Sequence, residues 1–403
     1  MADLTHAARG MRLPVPLRVA AVYLAARVLT TLFFVVAAEL STASSRHGAH
    51  ATIGSLAMGW DAQWYWVVAT HGYPAELPQS PDGAITQNAW AFLPLYPALA
   101  RLLSFVTGSY PVAAIALSVV AGYLACLALH ALLRARLGEV ATMWAVTFFA
   151  AGPLAALFQV GYAESLFLLW LLLALGCVQR RRYGWLYLLV PLMGYTRPGV
   201  LAFSLFLALY GCRRWLRRRS DPLPGREIVH IVALGLLAAA VGFSWPVIAG
   251  LVTGDPAAYL QTELSWRRIW LPDSPESFVP FDGVLHAVEL WSGVWGVPAT
   301  VGYAALAAGL AVVAAALVLD PRVRRTGIEV RLWSASYLVY LLAVFFPQSS
   351  TFRLLVPLAP LAGAFAVPRS IVWRAGVLVA GLAAQWWWIH EMYGLGDTAW
   401  RVP

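Results

Sequence analysis

Apolar runs long enough to cross a lipid bilayer recur along this chain, and they leave few alternatives for its fold. Clear runs lie near residues 17–40, 111–133, 139–158, 228–251, 298–319, 331–347 and 371–389, with shorter ones near 163–178, 184–196, 198–212 and 353–367. A helical crossing of a hydrocarbon core about 30 Å thick takes about 17–25 such residues. Hydrophobic residues make up 61% of the 403 and charged residues only 12%, where a soluble domain carries about 25% charged residues. A water-soluble fold of this composition would leave more apolar surface than its core could hide. The expected class is an all-α polytopic membrane protein solvated by lipid.

Charge sets the direction of each crossing. The net charge is +9, and all 28 basic residues are Arg. They cluster at 9–18, 134–136, 180–182, 213–226, 322–331 and 369–374. Short basic clusters between apolar spans are topology signals of the positive-inside kind; they do not form a phosphate-tracking groove, so no nucleic-acid partner is expected. With the N-terminus inside, every cluster faces the cytoplasm provided that 90–107, which carries Pro94, Pro97 and Arg101, lies at the interface and does not cross. That arrangement predicts about 11 transmembrane helices with the C-terminus outside. It puts 20 Arg inside against 8 elsewhere, and only 6 of the 19 acids inside. The apolar stretch from Arg18 to about Leu40 is too long for a signal h-region and reads as a span. Cys126, Cys177 and Cys212 fall in or beside apolar runs and read as small hydrophobes, with no disulfide framework or zinc spacing.

The chain reads as a single domain, 1–403, without internal repeats. Two outer loops are long, about 41–110 and 252–297, and long loops in compact folds are usually functional. The segments 184–196 and 198–212 have basic flanks on both sides and turn around within about 30 residues, short for two full crossings. They read as a hairpin of short helices with its tip at Tyr195-Thr196-Arg197-Pro198-Gly199, and such interrupted segments mark cavities at membrane depth.

Chemistry-bearing residues collect on the outer side. The first loop holds Trp60-Asp61-Ala62-Gln63-Trp64-Tyr65-Trp66 and His71-Gly72-Tyr73. A purely structural reading makes Asp61 a helix cap and the aromatics part of an interfacial belt. A functional reading makes Asp61 a general base. Glu164, in Gly161-Tyr162-Ala163-Glu164-Ser165, suits either a helix N-terminus or a substrate contact. Arg197 is harder to explain as structure, because an unpaired Arg at that depth is costly; Asp61, Glu164 or a bound phosphate would serve as its partner. Arg353, Arg267 and Arg268 also sit outside, against the topology bias. Each alone is explained by snorkelling, but four outer cations beside a candidate base suggest an anionic lipid headgroup as ligand. There is no Asp-x-Asp pair in the first loop, no Walker loop, no dinucleotide turn and no His–Glu zinc motif, so neither a metal nor another cofactor is expected. Asp3, Asp221 and Asp320 lie on the inner side.

Taken in order, Trp60-Asp61, Ala69 and His71-Gly72-Tyr73, then Ala91-Phe92-Leu93-Pro94-Leu95-Tyr96-Pro97, Gly161-Tyr162-Ala163-Glu164-Ser165-Leu166-Phe167 and Arg197-Pro198-Gly199 resemble the motifs of the PIG-V-type mannosyltransferases, which have the GT-C fold. The resemblance spans roughly residues 55–200; the second half matches in layout only. It implies a GT-C-like helix bundle with short interfacial helices in the first outer loop. It also implies transfer of a mannosyl unit from a polyprenyl-phosphate carrier to an acceptor hydroxyl, with inversion and with Asp61 as general base. Arg197, with Arg353 or Arg267, would then bind the leaving phosphate, and Trp60, Trp64, Tyr65, His71, Tyr162 and Glu164 would complete the substrate site, the aromatics by stacking on sugar faces. The Arg-only basic composition suggests a bacterial source, hence a multi-pass protein of the cell membrane with its site on the extracytoplasmic face; a eukaryotic member would sit in the endoplasmic reticulum. A glycolipid, a glycan or a protein would each be a suitable acceptor. Two further readings stay open: a transporter or flippase of lipid-linked sugars, whose hallmark would be repeats with polar residues at midplane, and a non-catalytic scaffold of an envelope-assembly complex, which would tolerate loss of Asp61.

Overall fold

A computed structural model describes residues 13–272, 277–396 and 399–403. Asp3, Arg9, Arg12 and the segment 273–276 of the second outer loop lie outside the described residues. In chain order the helices are α1 Val15–Glu39, α2 Ile53–Ala57, α3 Asp61–His71, α4 Leu95–Thr107, α5 Tyr110–Leu137, α6 Glu139–Ala150, α7 Glu164–Gln179, α8 Leu186–Thr196 and α9 Val200–Leu216. There follow α10 Gly225–Thr253, α11 Ala258–Arg268, α12 Asp282–Val294, α13 Ala299–Leu319, α14 Pro321–Arg325, α15 Ile328–Val344, α16 Thr351–Leu354, α17 Ala362–Ala366 and α18 Ile371–Trp388, then a π-helical stretch Ile389–Leu395. The described residues form no β-sheet.

Four of these helices, α1, α5, α10 and α13, are long and apolar enough to cross a membrane. α13 is the plainest case. Its 21 residues span about 32 Å at 1.5 Å per residue, and none of them is buried. A helix apolar on every face, touching α12 along one side yet burying none of its residues, suits a lipid surrounding. The expected count of about 11 crossings is not established: the other apolar helices are shorter, α6 having 12 residues, α7 16, α8 11 and α9 17. The run near 353–367 is not one helix at all. It breaks into α16, a 3-10 segment Val356–Leu361 and α17, because Pro357 and Pro360 remove backbone donors within it.

The protein core is built by α5, α7, α8 and α9, each contributing buried Leu side chains. α7 is buried almost all round, from Glu164 to Val178, and the other elements gather about it. The first long loop, 41–110, is folded: α2, α3, a 3-10 turn at Ala89–Ala91 and α4 are short helices of the kind expected there. It is fastened to α10 by aromatics. Tyr73 stacks on Trp90 at 4.6 Å and meets Trp245 edge-on at 4.9 Å, and the Trp245 Nε1–H donates to the Trp90 carbonyl at 3.0 Å. α11 of the second long loop closes on the same loop through Trp266, edge-on to Trp64 at 6.1 Å, and through the Asn88 amide, which donates to Thr262 Oγ1 at 2.8 Å.

Candidate functional site

Four charged side chains from four parts of the sequence meet in one chain of ion pairs. Asp61 begins α3 and Glu164 begins α7. Arg197 follows α8, and Arg353 lies in α16. The Arg353 Nη1 pairs with Asp61 Oδ2 and lies 3.5 Å from Glu164 Oε1. The Arg197 Nη2 lies 3.5 Å from that same oxygen. The order is therefore Asp61–Arg353–Glu164–Arg197, two cations and two anions, with positions 292 residues apart joined directly. Only Asp61 keeps appreciable contact with solvent, its side chain 22% exposed against 2% for Glu164.

Local chemistry explains each placement. Both carboxylates occupy the first position of a helix, where the N-terminal dipole favours an anion by roughly 0.3–1 kcal/mol. Asp61 is not the cap itself: the capping position belongs to Trp60, and no side chain caps the helix. The capping role that sequence allowed for Asp61 is thus replaced by the pairing with Arg353. Trp60 has φ of 55°, uncommon for a non-glycine residue and of the kind that gathers at functional sites. It is pinned there by an Nε1–H bond to the Met392 carbonyl at 3.1 Å and by the Arg46 guanidinium 4.1 Å from its ring. Gly161 lets the strand of chain before α7 come close to α3: a Cβ there would lie 3.1 Å from the Ala62 Cβ, and the Gly161 N–H donates to the Ala57 carbonyl at 2.9 Å. That approach brings Glu164 within reach of the Arg that Asp61 holds. Arg197 precedes a proline, so its backbone is extended, with φ −158° and ψ 149°, and α8 must end before it. Gly199 then takes φ of 136°, a conformation for which glycine is needed.

Some donors at this site are unused. The Arg197 Nη1 and the Arg353 Nε are buried and have no hydrogen-bond partner among the described residues. Buried polar groups are almost always satisfied, and an orphaned guanidinium N–H invites an oxygen ligand. The Arg353 guanidinium also lies 5.4 Å from the Tyr162 ring centroid.

The other expected site residues separate into groups. Tyr65 and Tyr162 are buried, at 5% and 0% exposure, and form the packing beneath the ion pairs, so neither ring presents a free face to a sugar. The Tyr65 phenol is pushed well above its usual range by burial, then by the charges of Glu164 and Asp61. Trp64 is partly buried and stacks on Phe92 at 5.7 Å. His71 is exposed at the far end of α3, its Nδ1 2.7 Å from Thr70 Oγ1, about 15 Å along the helix from Asp61. Arg267 is buried but turned to another partner, its Nη1 3.5 Å from Asp282 Oδ2, and is not joined to the four-residue network. Arg268 is likewise spent on structure, donating to the Ile85 carbonyl.

Glu263 in α11 escaped the sequence reading. It stands one turn before Trp266, which packs on Trp64, itself one turn after Asp61. Burial pushes the Glu263 carboxyl up to about 7; a hydrogen bond with Tyr259 opposes the shift and the negative charge of Asp61 adds to it. No local motif marks this position: burial, the main cause, and the charge of Asp61, about 200 positions away, both arise only in the folded chain. Among the described residues no group of three or more His, Cys, Asp or Glu side chains is placed to hold a metal ion.

No family model matches the chain, and no curated protein matches it. Among solved structures it is similar to the oligosaccharyltransferase of Archaeoglobus fulgidus. One such structure, a complex with zinc and sulfate, aligns at 13% identity and a TM-score of 0.38 over 93% of this chain and 53% of that one. A second, tethered by a disulfide to an acceptor peptide containing the NVT sequon, aligns at 12% identity and a TM-score of 0.37 over 94% and 55%. The chain thus spans about half the length of the structures it matches. A TM-score this low does not establish a shared fold, and the functional reading rests on the site itself.

Proposed function

We propose that the chain is a membrane-embedded glycosyltransferase of the GT-C class, moving a sugar from a polyprenyl-phosphate carrier to a hydroxyl of a glycolipid, glycan or protein acceptor. The resemblance over residues 55–200 favours mannose as the sugar. The observation that carries the reading is the ion-pair chain Asp61–Arg353–Glu164–Arg197 with its unused guanidinium donors. It unites a carboxylate open to solvent with two cations suited to a phosphate.

The chemistry follows from the charges. The donor phosphate competes for the guanidinium of Arg353, which otherwise occupies Asp61 Oδ2. Asp61 is then free to accept a proton. The acceptor oxygen attacks the anomeric carbon from the face opposite the phosphate, its proton passes to Asp61, and the bond to the phosphate oxygen breaks with its electron pair. The anomeric centre is inverted. The lipid phosphate leaves as an anion stabilised by Arg353 and Arg197, so no separate acid is required. Glu164 is a positioning residue: it sets the spacing of the two guanidinium groups and touches neither reacting atom. Trp60 and Trp64 flank Asp61 and serve the sugar.

The test is donor use. Arg197→Lys keeps the charge and loses the planar fork. In purified protein in nanodiscs, with radiolabelled polyprenyl-phosphate-mannose as donor, its KM for donor should rise by about tenfold or more while expression and melting temperature stay near wild type. Unchanged donor use would remove Arg197 from the site.

A further inference from the structure

A second charged site lies at the other end of the bundle. α9 begins three residues after Arg197 and runs for 17 residues to Leu216, which carries its end about 25 Å from the ion-pair network. There a cavity of about 420 Å³ is lined by seven arginines and two carboxylates from five separate segments. Its floor is Arg214, 2% exposed, which pairs with Glu227 at 2.9 Å and Asp221 at 3.2 Å. On the rim Arg181 pairs with Asp221 at 2.5 Å and Arg136 with Glu329 at 3.4 Å. Among the described residues, Arg213, Arg217, Arg324 and Arg331 make no ion pair, and the Arg331 guanidinium donates only to the backbone carbonyls of Leu317 and Val318.

Topology alone does not account for this arrangement. A positive-inside signal needs basic residues near the ends of spans; it does not need them turned toward one hollow, where like charges repel. With three carboxylates against seven guanidinium groups, four positive charges remain. Guanidinium forks match phosphate oxygens bidentately, and a basic hollow between helix ends sits at the level of lipid headgroups. We propose that this cavity binds an anion of the diphosphate or bisphosphate class, either the headgroup of an anionic lipid or a free diphosphate. The site is separate from the outer one and needs no transfer activity to be observed.

The experiment uses the full chain in two settings. In nanodiscs of phosphatidylcholine alone, inorganic pyrophosphate is titrated by calorimetry; in detergent micelles, cardiolipin retention is read by native mass spectrometry, with and without pyrophosphate. Arg213→Gln/Arg324→Gln removes two unpaired pocket charges, and Arg218→Gln/Arg219→Gln removes the same charge from exposed positions that do not line the cavity. Wild type and the second pair should bind alike, and the pocket pair about tenfold more weakly or not at all. Arg213→Lys/Arg324→Lys keeps the net charge and should also weaken binding, which guards against loss through misfolding. Cardiolipin retained and displaced by pyrophosphate would identify a headgroup site; pyrophosphate bound with no cardiolipin retained would identify a soluble ligand. Binding of neither anion, or equal loss in the two glutamine pairs, would overturn the proposal.

Discussion

Asp61 and Glu164 carry the same charge at the same helical position, yet their substitutions should separate cleanly. Glu164→Gln leaves the buried Arg197 with no anion and Arg353 with Asp61 alone, which costs roughly 3–5 kcal/mol. Asp61→Asn leaves Arg353 still within 3.5 Å of Glu164 at a partly solvated position, and should cost about 1 kcal/mol or less. Thermal unfolding in detergent checks the difference; equal losses would mean the network does not bear on Glu164 as described. Glu263 predicts a pH dependence. An acid whose folded-state pKa is raised, here up to about 7, contributes most stability below its unfolded value near 4.5, and that contribution is lost as pH rises through about 7. Glu263→Gln should therefore raise the melting temperature at pH 8 and change it little at pH 5. A gain of the same size at both would show that the group titrates normally. Arg197 and Arg353 were legible in sequence as cations against the topology bias, and Asp61 and Glu164 as acids set in aromatic motifs. Glu263 was not, since an acid in a polar outer helix draws no notice until Asp61 is brought near it.

Among the elements, the hairpin of α8 and α9 was legible because proline and glycine punctuate it. Arg197 is extended because Pro198 follows, and the turn closes only because Gly199 adopts φ of 136°. Gly199→Val should cost about 1–3 kcal/mol in backbone strain and should raise the donor KM by displacing Arg197; a normal KM together with lowered stability would uncouple the turn from the site. The short helices of the first long loop were legible for a similar reason, with prolines at 94 and 97 keeping the apolar stretch there short. The number of crossings was not legible. Apolar length counts candidate spans, but α6 and α8, at 12 and 11 residues, are too short to be judged by length, and Pro357 with Pro360 breaks what hydropathy alone joins near 353–367. His71 drew notice as part of a motif and Arg267 as a cation against the topology bias; helical rise carries the first away from Asp61, and Asp282 claims the second.

For the whole molecule, the two charged centres lie at opposite ends of α9, which gives the protein two chemically distinct ends. In a background lacking Cys126, Cys177 and Cys212, Asp82→Cys in the first long loop and Arg219→Cys in the basic cluster should be labelled by a membrane-impermeant maleimide from opposite faces. Labelling of both in intact cells would contradict the topology on which the outer site depends. The central claim is that Asp61 takes a proton during sugar transfer, and it is tested most directly by turnover. Purified wild type and Asp61→Asn in nanodiscs would be given radiolabelled polyprenyl-phosphate-mannose and a total lipid extract as acceptor. Wild type should transfer the sugar, and Asp61→Asn should lose at least about a hundredfold in rate at equal folding. Equal transfer by the two proteins would contradict the central claim.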